Sequence, residues 1–181
     1  MDTKDILKYI EQVSLHIECS NIIEILLIGG AAGMLTGQLD SSRTTMDCDV
    51  YKIKPDSSEQ ILMKAARIVA DNNSLPAAWL NTQAMQLNIL PDGWHTRSIH
   101  VATFKNLRVL ALSRKDLLAT KFYACHTRDI EDIQAMKPTS EECDFISTYL
   151  QVMKLPSRQA NLDSISRAEK LITIFRSQSN E

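Results

Sequence analysis

The chain has 181 residues, 44% of them hydrophobic and 23% charged, which suffices for one domain with a core, or a domain with a helical annex, and excludes a disordered chain, a collagen-like repeat or a small disulfide scaffold. Lys plus Arg number 20 and Asp plus Glu 22, a formal net charge of −2, so the whole molecule has no electrostatic pull toward nucleic acid or an anionic bilayer, and an RNA substrate would need a local patch. No apolar run approaches the roughly 18 residues that span a bilayer, so no membrane partner is expected. Met1-Asp2-Thr3-Lys4-Asp5 lacks the basic-then-apolar order of a signal peptide. The cysteines, Cys19, Cys48, Cys125 and Cys143, are widely spaced with no Cys-x-x-Cys pair, as expected of reduced thiols in a cytoplasmic protein.

The spacing of Ile6, Ile10, Val13 and Ile17 predicts an amphipathic helix over 3–18 with Asp2 or Thr3 as its cap. Residues 22–28, rich in β-branched side chains and stopped by Gly29-Gly30, predict a buried strand, with a short helix over 31–35 directly after the turn. A loop over 37–42 leads to a strand over 45–53. Ser57-Ser58-Glu59 opens a helix with Ile61, Leu62, Ala65, Ile68 and Val69 inward, ended by Asn72-Asn73-Ser74. The stretch 75–97 has no clear period; Trp79-Leu80 and 85–90 read as buried and Pro91-Asp92-Gly93 as a turn. Residues 99–104 and 107–112 flank Lys105-Asn106 as adjacent strands. From Ser113 onward the chain reads as four helices separated near 125–129, Pro138 and Pro156, the last over 162–176 with a frayed tail at 177–181.

Chemistry concentrates between Gly29 and Asp49. A glycine pair after a buried strand lets backbone N–H groups approach an anion, although such pairs serve more often, by about two to one, only as a tight turn. On a strand, residues two apart share a face, so Arg43, Thr45, Asp47 and Asp49 are expected on one side and Met46, Cys48 and Val50 in the core. Two adjacent carboxylates repel unless a cation lies between them, and Mg²⁺ favours such ligands while leaving room for substrate phosphates; a solvated edge face is the alternative.

Leu27-Ile28-Gly29-Gly30 followed by Asp47-Cys48-Asp49-Val50 resembles the signature of the DNA polymerase β-like nucleotidyltransferase superfamily, and Arg43-x-Thr45-x-Asp47-x-Asp49 is similar to the small bacterial group that includes the AbiE-type toxin nucleotidyltransferases. The block from Leu112 to Ala124 resembles that group's helix with a functional lysine, Lys121, and Thr127-Arg128-Asp129-Ile130-Glu131-Asp132 its following Arg-Asp-x-x-Asp segment. The resemblance implies an α/β (α+β) nucleotidyltransferase fold with a small mixed sheet: an αβ core over 1–112 and a C-terminal helical region over 113–181 packed on it. It implies that Asp47 and Asp49 hold Mg²⁺ (Mn²⁺ as substitute) on an NTP, that Gly29 and Gly30 face its phosphates with Arg43 and Thr45 beside them, and that Lys121 neutralises developing charge. Asp129 and Asp132 would orient Lys121 or Arg43, or simply serve as acids near a helix N-terminus. Arg97 and Arg128 are further phosphate contacts or surface residues.

The interval from Gly30 to Asp47 is longer than usual, and the third carboxylate common in the superfamily is missing from 99–104 and 107–112, with Asp92 in a turn the nearest candidate. His16, His95, His100 and His126 show no metal spacing. The expected function is transfer of a nucleoside monophosphate from an NTP to a hydroxyl of RNA, protein or a small molecule. The alternative is a catalytically degenerate domain that binds a partner such as an antitoxin.

Overall fold

The computed structural model describes residues 1–40, 42–158 and 160–178. They form two compact units: residues 1–87 with 97–112, and residues 88–96 with the chain from 113 onward.

The first unit opens on a reciprocal cap. The Asp2 carboxylate accepts the N–H of Asp5 at 2.9 Å and the Asp5 carboxylate accepts that of Asp2 at 3.2 Å, satisfying two amides that a helix start leaves open. Helix α1 then runs Thr3–Leu15, and Ile6, Ile10, Val13 and Ile17 are all buried as their spacing predicts. A five-stranded mixed sheet follows, in the order β3-β2-β1-β5-β4. Its centre is β1 (Ile23–Ile28), antiparallel to β2 (Cys48–Lys54) and parallel to β5 (Leu107–Ala111). The one charge in β1, Glu24, stands in register with Lys54 on one side and Arg108 on the other and pairs with each at 3.5 Å. Strand β4 (Ile99–Phe104) folds back on β5 as the expected hairpin. The remaining strand, β3 (Leu80–Asn81), runs parallel to β2. It follows α3 (Glu59–Asn73), against which Trp79 is buried with its Nε1 donating to the Ala66 carbonyl at 3.0 Å.

Several expectations need correction. Helix α2 (Gly29–Leu35) starts at the glycine pair itself rather than after it. Strand β2 begins at Cys48, not 45, because Thr45 bonds the backbone of Met1 instead of a ladder, its N–H reaching the Met1 carbonyl at 3.0 Å. The alternation therefore fails before 48: Met46, expected in the core, is 73% exposed, while Thr45 is buried. Ile61, expected on the inner face of α3, and Leu87 are exposed as well.

In the second unit, α5 (Arg114–Ala124), α6 (Thr127–Met136), α7 (Ser140–Met153) and α8 (Leu162–Gln178) bury Leu117, Leu118, Phe122, Ile133, Ile146, Leu150 and Ile165. Ser113 caps α5 and Thr139 caps α7 with Glu142 reciprocating, as their spacing predicts. A short helix, α4 (Trp94–Arg97), follows the Pro91-Asp92-Gly93 turn. The proposed frayed tail is helical through Gln178, and residues 179–181 lie outside the described residues. All four cysteines are free, three of them buried. Among the described residues no helix is long and apolar enough to cross a membrane.

Candidate active site

Three strand ends build the site. Because β2 runs antiparallel to β1, Asp49 stands opposite Ile28, the last residue before the glycine pair. Because β3 runs parallel to β2, Asn81 stands opposite Asp49. Cys48, between the two acids, turns into the core, and its thiol is pushed up to about 12 by burial, helped by the charges of Asp47 and Asp49. It is therefore a packing residue at neutral pH and no nucleophile.

Asp49 is half-buried and its two oxygens have different surroundings. Oδ1 accepts from Asn81 Nδ2 at 3.0 Å. Oδ2 faces Gly29, where a Cβ would lie only 3.1 Å away. Burial raises the pKa of this carboxyl, the Asn81 bond opposes the rise, and the charge of Asp47 adds to it. Asp47 is exposed, with the Thr45 hydroxyl 3.3 Å from its Oδ1 and 3.1 Å from its own carbonyl. A Cβ on Gly30 would lie 3.6 Å from Thr45 Oγ1 and 3.9 Å from Arg43 Nη2, so both side chains lean over that glycine. Arg43 also donates through Nη1 to the Thr44 carbonyl at 3.0 Å. The first unit thus brings together Gly29, Gly30, Arg43, Thr45, Asp47 and Asp49, and adds Asn81, which sequence reasoning missed. A two-residue strand has no periodicity to find, and only its pairing with β2 reveals its place.

Lys121, Asp129 and Asp132 all belong to the second unit and gather there. The Lys121 ammonium is 4% exposed and donates to Asp132 at 2.6 Å and to Asp129 at 3.2 Å. The other oxygen of Asp129 accepts the N–H of His126 at the start of α6. Asp129 both caps α6 and pairs with the lysine, and Asp132 pairs with it from a buried position. Arg97 is half-buried and Arg128 exposed, and each has a partner within the protein. Strands β4 and β5 carry no acid, and Asp92 is engaged by Arg158 at 3.3 Å within the second unit.

Among the described residues there is no cluster of three or more His, Cys, Asp or Glu able to hold a metal. The two oxygen-donor carboxylates, Asp47 and Asp49, fit a hard divalent ion that completes its shell with water and substrate phosphates.

A mixed sheet whose central strand ends in a glycine pair, beside an antiparallel strand opened by Asp-x-Asp, belongs to the α/β architecture of nucleotidyltransferases. Residues 4–161 match the family described as nucleotidyltransferase of unknown function (DUF6036), and the chain belongs to that family. No curated protein and no solved structure matches the chain.

Proposed function

We propose that this family member transfers a nucleoside monophosphate from an NTP to a hydroxyl acceptor, with Mg²⁺ held by Asp47 and Asp49. The observation that carries the reading is the Asp47 and Asp49 pair at the glycine pair, with Asp49 half-buried against the charge of Asp47 and its Oδ2 on the Gly29 side. The ion, when bound, would neutralise phosphate charge and polarise the α-phosphorus for in-line attack. Gly29 and Gly30 keep that side of Asp49 clear of side chains. Arg43 and Thr45, which lean over Gly30, supply a guanidinium and a hydroxyl to the phosphates or sugar. The role of Lys121 in opposing charge on the leaving pyrophosphate rests on the resemblance alone, since two carboxylates already hold its ammonium.

A net charge of −2 argues against extended nonspecific RNA binding, so a ribonucleotide acceptor would be held through a local contact, and a protein or small-molecule hydroxyl serves the same chemistry. A second reading has an observation of its own. Position 81, beside Asp49, is neutral, which leaves the site two carboxylates, and loss of a general base costs about 10²–10⁴ in rate. In that reading the domain binds a protein partner, as the likeness to AbiE-type toxins suggests, and does not turn over.

Thermal unfolding with Mg²⁺ and each of the four NTPs, for wild type and Asp47→Asn, tests the proposal. A ligand at about 100 times its dissociation constant adds roughly 2.7 kcal/mol. A Mg²⁺-dependent rise that the variant lacks is expected. No rise with any NTP overturns the proposal and leaves the partner-binding reading.

A further inference from the structure

The side chain of Asn81 is held at both ends. Its Oδ1 accepts the N–H of Gln83 at 3.3 Å, and its Nδ2 donates to Asp49 Oδ1 at 3.0 Å. The first bond dictates the second: with the carbonyl turned to Gln83, only the amide can face the carboxylate, and a carboxylate can only accept. The parallel register of β3 on β2 fixes the pair from the backbone as well. Asp49 is therefore prevented from rotating freely. One oxygen is bound to the amide, and the other, Oδ2, is presented on the Gly29 side.

We propose that Asn81 is a positioning residue for metal binding: it occupies Oδ1 of Asp49 so that Oδ2 alone is offered to the divalent ion, and its neutrality keeps the site at two carboxylates. The inference rests on the proposed metal role of Asp47 and Asp49. Groups that orient a metal ligand in this way are typically worth about 10–100-fold in affinity. An aspartate at 81 has nearly the same shape and keeps its bond to Gln83, so its second oxygen would replace Nδ2 and face Asp49 Oδ1 where a donor now sits. Without a cation the two oxygens repel, and with one they become a third carboxylate contribution.

Mn²⁺ titrations followed by electron paramagnetic resonance, with thermal melts in EDTA and in Mn²⁺, would be run on wild type, Asp49→Asn, Asn81→Ala and Asn81→Asp. Wild type is expected to bind Mn²⁺, Asp49→Asn to lose it, and Asn81→Ala to bind about 10-fold more weakly. Asn81→Asp is expected to melt lower than wild type in EDTA, to gain more than wild type from Mn²⁺, and to show fewer metal-bound waters in the spectrum. A merely structural asparagine would lower the melts of both variants without reordering the affinities or changing the water count. If Asn81→Ala binds as tightly as wild type while Asp49→Asn does not bind, the inference about Asn81 falls and the metal site stands. If Asn81→Asp binds no better than Asn81→Ala, it also falls. If wild type binds no Mn²⁺, the metal reading and this inference fall together.

Discussion

A methyl group on Gly29 meets two obstacles at once. The residue has φ +66°, and the added Cβ would lie 3.1 Å from Asp49 Oδ2, tighter than an ordinary contact. The left-handed backbone alone costs a non-glycine residue roughly 1–2 kcal/mol. Gly30 has neither problem, since its neighbours lie at ordinary contact distance, and alanine is the better helix former by about 1 kcal/mol. Urea denaturation is therefore expected to show Gly29→Ala destabilised by about 1–2 kcal/mol and Gly30→Ala close to wild type or slightly above it. Asp49 makes the converse point. Its pKa is raised on folding, so its favourable contribution is complete below the ordinary value of 3.8 and is lost as pH rises through the folded pKa. At pH 7, without metal, the carboxylate costs stability. Asp49→Asn keeps an acceptor for Asn81 and removes the charge, so in EDTA it is expected to melt above wild type at pH 7, with the gap closing toward acid pH. The glycine pair and both acids are legible in the sequence because residue type and order carry them. Asn81 is not, because its importance arises only when a later segment is laid beside β2.

The helices that follow Ser113 are held together by buried or half-buried ion pairs at their ends. Lys121, in the last turn of α5, sits between Asp129 and Asp132 of α6. Lys121→Met would remove the buried ammonium that both carboxylates share, and breaking such a pair costs about 3–5 kcal/mol, measurable as a fall in the urea midpoint. Arg114, in the first turn of α5, clasps Glu142 of α7 through two bonds at 2.7 and 3.2 Å and donates to the Met136 carbonyl at 2.6 Å where α6 ends. Burial raises the Glu142 pKa, but the Arg114 bonds and charge, with the Thr139 amide, outweigh it and the net shift is downward. A depressed folded pKa stabilises above the unfolded value, here 4.5, and the benefit is lost as pH falls through the folded pKa. Wild type is expected to exceed Glu142→Gln at neutral pH, and urea titrations below about pH 4.5 should show the difference shrinking. These helices were legible because a 3.6-residue period and the Ser113/Asp116 and Thr139/Glu142 caps are local signals. The segment before β2 was not. Thr45 is tied to Met1, 44 positions away, and that distant backbone contact breaks the two-residue alternation and turns Met46 outward.

The path of the chain through the molecule has a consequence that neither unit has alone. The chain leaves the first unit after Leu87, returns at Arg97 and leaves again after Leu112, so the second unit is assembled from two separate stretches. Residues 88–96 are secured there by later helices: the Tyr149 hydroxyl donates to the Ile89 carbonyl at 2.7 Å, and Arg158 donates to Asn88 Oδ1 at 2.7 Å. Leu90 and Pro91 are buried and line one cavity with Phe145, Tyr149 and Met153. A fragment ending at residue 112 retains every strand of the sheet but deprives 88–96 of all these partners. Loss of those bonds and apolar contacts would loosen this stretch toward proteolysis, whereas in the full chain they hold it. Limited proteolysis followed by mass spectrometry is expected to cut the 1–112 fragment within 88–96 under conditions that leave the full chain intact there. Tyr149→Phe, which removes one bond worth about 1 kcal/mol, should raise cutting at that site in the full chain only modestly, because Arg158 and the apolar contacts still hold the segment.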